Sequence, residues 1–255
     1  MFLISVQSGS NGNCLYVEAG GTRLLFDAGI SGSSAEQRLA AHGVDIRTVD
    51  ALVISHDHCD HSRSLGVFQR KFGLTAYLTR RTLAGARRRS ALGDLGPIRH
   101  FQAGETLRIG EVTIETIPTP HDGDDPVAFV VDDGRHRLGI LTDLGNVFDA
   151  LRSAVASLDA VLVESNYDPR MLAESSYTES LKRRIRGPHG HLSNAEAATL
   201  LAEAGTKRLC WACLGHLSEH SNRHDVAMNT HRRIVGRRLP LWIASRCEVS
   251  EKMEI

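Results

Sequence analysis

The sequence predicts a single α/β domain in which sheets and helices are layered, and three observations predict it. β-type and helix-type segments alternate along the chain, with no linker-like, low-complexity or repeated stretch between them. The 255 residues suffice for one large domain with a sizeable core. Composition is 42% hydrophobic and 24% charged, which excludes wholesale disorder.

Each element follows from its local pattern. Phe2–Gln7, Cys14–Glu18 and Arg23–Phe26 are apolar or alternating runs between Gly-, Ser- and Asn-rich turns, and read as strands. Helix-like stretches at Ser34–Ala41 and Leu65–Phe72 flank Ala51–Ser55, a short apolar run of the buried-strand type. Residues 98–142 read as β again, with strands at Val112–Ile117, Val127–Val131 and Arg137–Leu141. Ala160–Val163 is the next strand. Ser193-Asn194-Ala195-Glu196 is a capping box that opens a long helix, its Ser capping the first turn and its Glu reaching back. A strand at Leu209–Leu214, a helix over 222–235 and a last strand at Leu241–Ala244 complete the order.

Composition also excludes function classes. No window approaches eighteen consecutive apolar residues, so no membrane span is expected. The start, Met1-Phe2-Leu3-Ile4-Ser5, lacks the basic region and long apolar run of a secretion signal. Five Cys without regular spacing do not describe a disulfide framework, and the expectation is a cytoplasmic protein. The 30 basic residues balance the 30 acidic ones, yet only four are Lys. Arg clusters at Arg80, Arg81, Arg87, Arg88 and Arg89, at Arg183, Arg184 and Arg186 beside Lys182, and at Arg232, Arg233, Arg237, Arg238 and Arg246 permit a polyanionic partner, since guanidinium forks match phosphate oxygens. The same runs also suit solvated helix faces.

The strongest chemical signal is His56-Asp57-His58-Cys59-Asp60-His61, directly after the strand Ala51–Ser55. In an extended stretch positions i and i+2 point the same way, so His56 and His58 can grip one ion. A turn into the following helix would aim Asp60 and His61 at a point a few ångströms away, which suits two metals better than one. Further candidate ligands stand at strand ends: His121 after Val112–Ile117, Asp143 after Arg137–Leu141 and His216 after Leu209–Leu214. Imidazole and carboxylate are the usual ligands of zinc and of harder divalent ions. Cys59 is not expected to ligate. Cys210 and Cys213 form a C-x-x-C in a predicted buried strand, where packing is expected over redox chemistry, and Trp211 and Trp242 are expected in the core.

At this point the chain resembles the metallo-β-lactamase superfamily. The resemblance runs through Leu25-Phe26-Asp27-Ala28-Gly29, the His/Asp cluster, His121, Asp143 and His216, in that order. It implies one domain over residues 1–255 with a four-layer αββα sandwich. It also implies that His56, His58 and His121 hold one divalent ion, that Asp60, His61 and His216 hold the other, and that Asp143 bridges them. Asp27 would support the site without ligating. Five His ligands make zinc the first expectation and manganese the second. Glu164, ending the strand Ala160–Val163, and His191, in Gly190-His191-Leu192-Ser193-Asn194, match the general-acid pair of the nuclease and phosphodiesterase branches.

Ser8-Gly9-Ser10-Asn11-Gly12-Asn13-Cys14, the Gly190–Asn194 segment and His216-Leu217-Ser218-Glu219-His220-Ser221-Asn222 narrow the likeness to the WalJ/YycJ-like subgroup, considered exonuclease-like. A departure lies near residues 220–224, where that subgroup tends to show a paired Asn followed by Pro and this chain has Ser221, Asn222, Arg223 and His224. The expected reaction is phosphodiester hydrolysis in DNA or RNA by a hydroxide held between two ions, with Asp60 among the catalytic groups and His191, oriented by Glu164, protonating the leaving oxygen. Three alternatives stay open: a small-molecule phosphodiesterase, a thioester or lactone hydrolase, and a non-catalytic binding protein. Only 21 residues separate His121 from Asp143, too few for a long substrate-binding arm there. The groove is therefore expected to be open, with the substrate held by the Arg clusters or by an oligomeric partner. Nothing in the sequence sets the oligomeric state.

Overall fold

A computed structural model describes residues 1–255. Its strands form two seven-stranded sheets. The first contains β1 (Phe2–Gln7), β2 (Cys14–Ala19), β3 (Thr22–Phe26), β4 (Ala51–Val53), β5 (Ala76–Leu78), β6 (Ile98–His100) and β14 (Met253–Glu254), in the order β14-β1-β2-β3-β4-β5-β6. The second contains β7 (Thr106–Ile109), β8 (Val112–Pro118), β9 (Val127–Asp132), β10 (Arg137–Leu141), β11 (Ala160–Glu164), β12 (Trp211–Gly215) and β13 (Leu241–Ile243), in the order β13-β12-β11-β10-β9-β8-β7. Both sheets share a plan. Antiparallel strands come first, joined by short turns, and parallel strands follow, reached by crossovers that carry the helices.

The helices around the first sheet are α1 (Gly32–Ala40), α2 (Cys59–Ser62), α3 (Leu65–Phe72) and α4 (Arg80–Arg89). Those around the second are α5 (Asp149–Ala156), α6 (Pro169–Glu174), α7 (Glu179–Ile185), α8 (Asn194–Ala204) and α9 (His224–Val235). Three apolar layers hold the stack together. Between the sheets lie 24 buried residues, with Phe26 and Phe129 in ring contact at 5.1 Å. A layer of 21 joins the first sheet to α1, α3 and α4 through Ala35, Leu39, Phe68, Phe72 and Ala86. A layer of 20 joins the second sheet to α5, α8 and α9 through Leu151, Val155, Leu200, Leu201 and Ala227. Strand β3 shows the logic: Leu24 and Phe26 enter the inner layer while Leu25 enters the outer one. Strands covered on both faces have no polar side, so they read as continuous apolar runs. Each fully buried Leu or Phe contributes about 1.5–3 kcal/mol. The result is the expected αββα sandwich, closed by β14 pairing with β1. No helix is long and apolar enough to cross a membrane.

Several local expectations are corrected. β4 ends at Val53 and not at Ser55, because the Ser55 backbone N–H donates to Asp27 Oδ1 at 2.8 Å instead of continuing the ladder. β12 starts at Trp211, which leaves Cys210 exposed just before it, while Cys213 is buried as expected. Trp211 is buried and its Nε1 donates to the Glu254 carbonyl at 2.7 Å. Trp242 lies on the edge strand β13 and is 44% exposed, so it is not a core residue. The capping box of α8 is present in both directions, with Glu196 N–H on Ser193 Oγ at 3.2 Å and Ser193 N–H on Glu196 Oε2 at 2.8 Å.

Candidate metal centre

The site lies where the carboxyl ends of several strands from both sheets meet, the edge at which open α/β sheets collect their functional groups. Asp27 follows β3, Glu164 ends β11 and His216 follows β12. His121 and Asp143 stand a few residues past β8 and β10. The His56–His61 segment leaves the end of β4 and winds into α2. The chain turns sharply at these ends. Asp27, Asp143 and His216 have φ of 64°, 57° and 54°, a left-handed region that side chains other than Gly seldom occupy. Such strain persists where the surroundings over-determine it. Gly29 lets the chain after β3 press on the metal loop, since a Cβ there would lie 1.6 Å from the Asp60 carbonyl oxygen. Ala28 N–H meets the His61 carbonyl at 2.7 Å, and Asn13 N–H meets that of Asp60 at 2.7 Å.

Four groups of donor atoms converge: His56 with His58 and His121; Asp60 with His61 and His216; His56 with His61 and Asp143; and Asp143 with Glu164, His191 and His216. In the first, His58 Nδ1 is 3.3 Å from His121 Nε2. In the second, Asp60 Oδ2 is 3.4 Å from both His61 Nε2 and His216 Nε2. Asp143 sits between the two, with Oδ2 3.2 Å from His61 Nε2 and Oδ1 3.5 Å from His121 Nε2.

Around these donors stand groups that hold each ring. Asp27 Oδ2 accepts from His61 Nδ1 at 2.7 Å and Oδ1 accepts from Ser55 Oγ at 2.9 Å. Ser55 Oγ is also 2.9 Å from His56 Nδ1. His121 Nδ1 meets the Gly190 carbonyl at 2.9 Å. Glu164 is fully buried; Oε1 lies 2.6 Å from His191 Nδ1 and Oε2 accepts the backbone N–H groups of Leu144 and Leu192 at 3.1 and 3.2 Å.

Electrostatics divides the imidazoles. Burial, reinforced by neighbouring His rings, pushes His56, His58 and His121 below the usual His range, which leaves them neutral with lone pairs free for a metal. Burial opposes charge on His61 and His216 too, but Asp143 and the other carboxylates override it, raising His61 well up and His216 to about 10. Burial would likewise raise Asp143 and Glu164, yet the surrounding imidazoles hold Asp143 well below the carboxylate range and His191 helps hold Glu164 at about 2. The carboxylates at the second donor group thus draw positive charge to it. His56 Nε2 and Asp143 Oδ2 are buried and make no hydrogen bond, the 3.2 Å approach of His61 Nε2 to Asp143 Oδ2 being misaligned for one, an arrangement that costs free energy unless another group satisfies them. Neutral imidazoles, anionic carboxylates and these two open acceptors fit divalent metal ions.

Every candidate residue read from the sequence lies in this one cluster: His56, His58, Asp60, His61, His121, Asp143, His216, Glu164 and His191, with Asp27 behind them. Cys59 is exposed and belongs to no donor group. The Arg clusters divide. Arg89 pairs with Asp57 at 2.6 Å, Arg88 with Asp124 and Arg184 with Asp122 at 2.6 Å, bringing α4 and α7 to the rim of the site. Sequence reasoning missed Ser55, Asp122 and the buried amides. Asn13 Nδ2 is 3.3 Å from Asp60 Oδ2, and it sits in the quoted Ser8–Cys14 stretch, the signal that was available. Asn222 donates to the Ser165 and Asn166 carbonyls at 2.8 and 3.1 Å and pairs with Asn194, so this residue of the divergent 220–224 loop is a buried brace.

The model of the "Beta-lactamase superfamily domain" family matches residues 22–212. An Exodeoxyribonuclease YycJ of Bacillus anthracis is 32% identical over 222 residues, 86% of this chain and 83% of that protein. An Exodeoxyribonuclease WalJ of Streptococcus pneumoniae is 35% identical over 227 residues, 88% of this chain and 84% of that protein. Among solved structures, Zn2+-bound PqqB of Methylobacterium extorquens superposes with a TM-score of 0.75 at 15% identity over the whole of both chains, a likeness of fold. Sheet plan, donor set and match agree, and the chain belongs to the β-lactamase superfamily domain family, with WalJ/YycJ-like proteins among its relatives.

Proposed function

We propose that this protein is a metal-dependent nuclease of the exonuclease type that hydrolyses phosphodiester bonds in nucleic acid. The observation that carries the reading is the junction of two donor groups at Asp143 with the His191–Glu164 pair beside it. His56, His58 and His121 would hold one ion and Asp60, His61 and His216 the other, with Asp143 shared; nitrogen-rich donors make zinc the first choice and manganese the second. When bound, such ions supply an activated water and neutralise charge on phosphate oxygens.

The chain's own groups do the rest. Glu164 holds Nδ1 of His191, leaving Nε2 as the nitrogen that can hand a proton to the departing oxygen. Asp27 and Ser55 keep His61 and His56 in fixed orientations. The relatives named exodeoxyribonucleases support nucleic acid as the substrate. Such a substrate would place the activity in the cytoplasm.

The test is hydrolysis by protein of measured metal content on 5′-labelled single-stranded DNA, RNA and bis(p-nitrophenyl) phosphate, with His191→Ala as control. Metal-dependent, His191-dependent cleavage of a polynucleotide is the expected result. Activity confined to the small diester would replace the nuclease reading with a small-molecule one, and silence on all three would overturn it.

A further inference from the structure

We propose that Asp122 and Arg184 form a positioning relay that sets the ring of His58 for metal binding; the inference rests on the metal reading above. Metal-binding imidazoles are commonly fixed by a partner on the ring nitrogen that does not face the metal. In this site Asp27 does so for His61, Ser55 for His56 and the Gly190 carbonyl for His121. His58 needs the same. Its Nδ1 faces His121 Nε2, so Nε2 is the nitrogen turned away from the donor group, and Nε2 lies 3.3 Å from Asp122 Oδ1.

Asp122 is itself fixed. Arg184 grips both of its oxygens, Nε to Oδ2 at 2.6 Å and Nη2 to Oδ1 at 3.0 Å, the two-pronged geometry that orients a carboxylate. The Asp122 backbone N–H donates to the His189 carbonyl at 3.2 Å, which keeps the loop against the segment after α7. Asp122 belongs to none of the four converging donor groups; its Oδ1 is nearer His58 Nε2, at 3.3 Å, than His121 Nε2, at 3.6 Å, so it flanks the first group on the His58 side and is not among the ligands. The relay therefore links a basic helix on the rim to one ring of the metal centre. Arg184 is 53% exposed, so shortening it removes the fork without emptying the core.

The experiment measures Zn2+ and Mn2+ dissociation constants by chelator competition on metal-stripped protein, for the wild type, Asp122→Asn, Arg184→Gln, the double variant and His58→Ala. Asp122→Asn should weaken metal binding about tenfold, Arg184→Gln in the same direction by less, and the double variant no more than Asp122→Asn alone. The melting temperature of the metal-stripped protein should stay unchanged in Arg184→Gln, which a merely structural role would not allow. Wild-type affinity in Asp122→Asn, or fully additive losses in the double variant, overturns the relay while leaving the metal reading intact provided His58→Ala binds poorly. A wild type that binds neither ion overturns both.

Discussion

Replacing His191 with Ala separates general-acid catalysis from metal binding. Its Nδ1 is 2.6 Å from Glu164 Oε1 and its ring is 16% exposed, so Nε2 is the nitrogen left for a substrate. Positioned proton donors typically contribute about 10²–10⁴ in rate, which corresponds to roughly 3–5 kcal/mol of barrier. That loss belongs only to a reaction whose leaving oxygen needs a proton. An alkoxide leaving a polynucleotide needs one; p-nitrophenolate departs as an anion. On single-stranded DNA, His191→Ala should therefore lose about 10²–10⁴ in kcat, whereas bis(p-nitrophenyl) phosphate should lose less than about tenfold, within 1.4 kcal/mol. Metal content, measured by elemental analysis, should not change, because the six side chains of the two three-residue donor groups are untouched. Equal losses on both substrates, or loss of metal in parallel with activity, would refute the assignment of His191 as the acid.

Three further outcomes are expected. Asp143→Asn preserves a residue type that tolerates the φ of 57° at this position, so the protein should fold, yet bound metal per chain should fall at both donor groups; unchanged stoichiometry counts against a shared carboxylate. Asn222→Ala strands the Ser165 carbonyl and Asn194 Nδ2, while the Asn166 carbonyl keeps the Ser218 N–H, and at about 1–3 kcal/mol for a buried unsatisfied group should lower the melting temperature by several degrees; calorimetry showing no change would remove its bracing role. His231 is buried in α9 with Nδ1 on the Ala227 carbonyl, and burial pushes it down to about 4. The unfolded chain protonates it near pH 6.5, before the folded one does, so its contribution is complete above that pH and is lost at about 1.4 kcal/mol per unit toward pH 4. Urea titrations should show a shallower decline over that window in His231→Leu, and identical slopes would contradict the burial argument.

The metal loop was legible because its chemistry is local. Four donor residues within His56–His61, after an apolar strand, declare a metal site without any knowledge of the fold, and Ser193–Glu196 declares a helix start for the same reason. The inner strands were legible too, because strands covered on both faces must be apolar throughout. Short strands such as β5 and β14 were not, since three residues or fewer carry no period. Trp242 misled because hydrophobicity does not reveal which strand ends a sheet. By itself, then, the sequence determined the donor types, their order and the layered α/β class, and by resemblance the pairing of donors into two groups. Only the tertiary structure decided that Asp122 backs His58, that Asn222 braces the loop behind His216, and that Arg88, Arg89 and Arg184 reach the rim. Such contacts join residues tens of positions apart through hydrogen bonds or ion pairs, and no local pattern encodes which distant strand end or helix will arrive to make them.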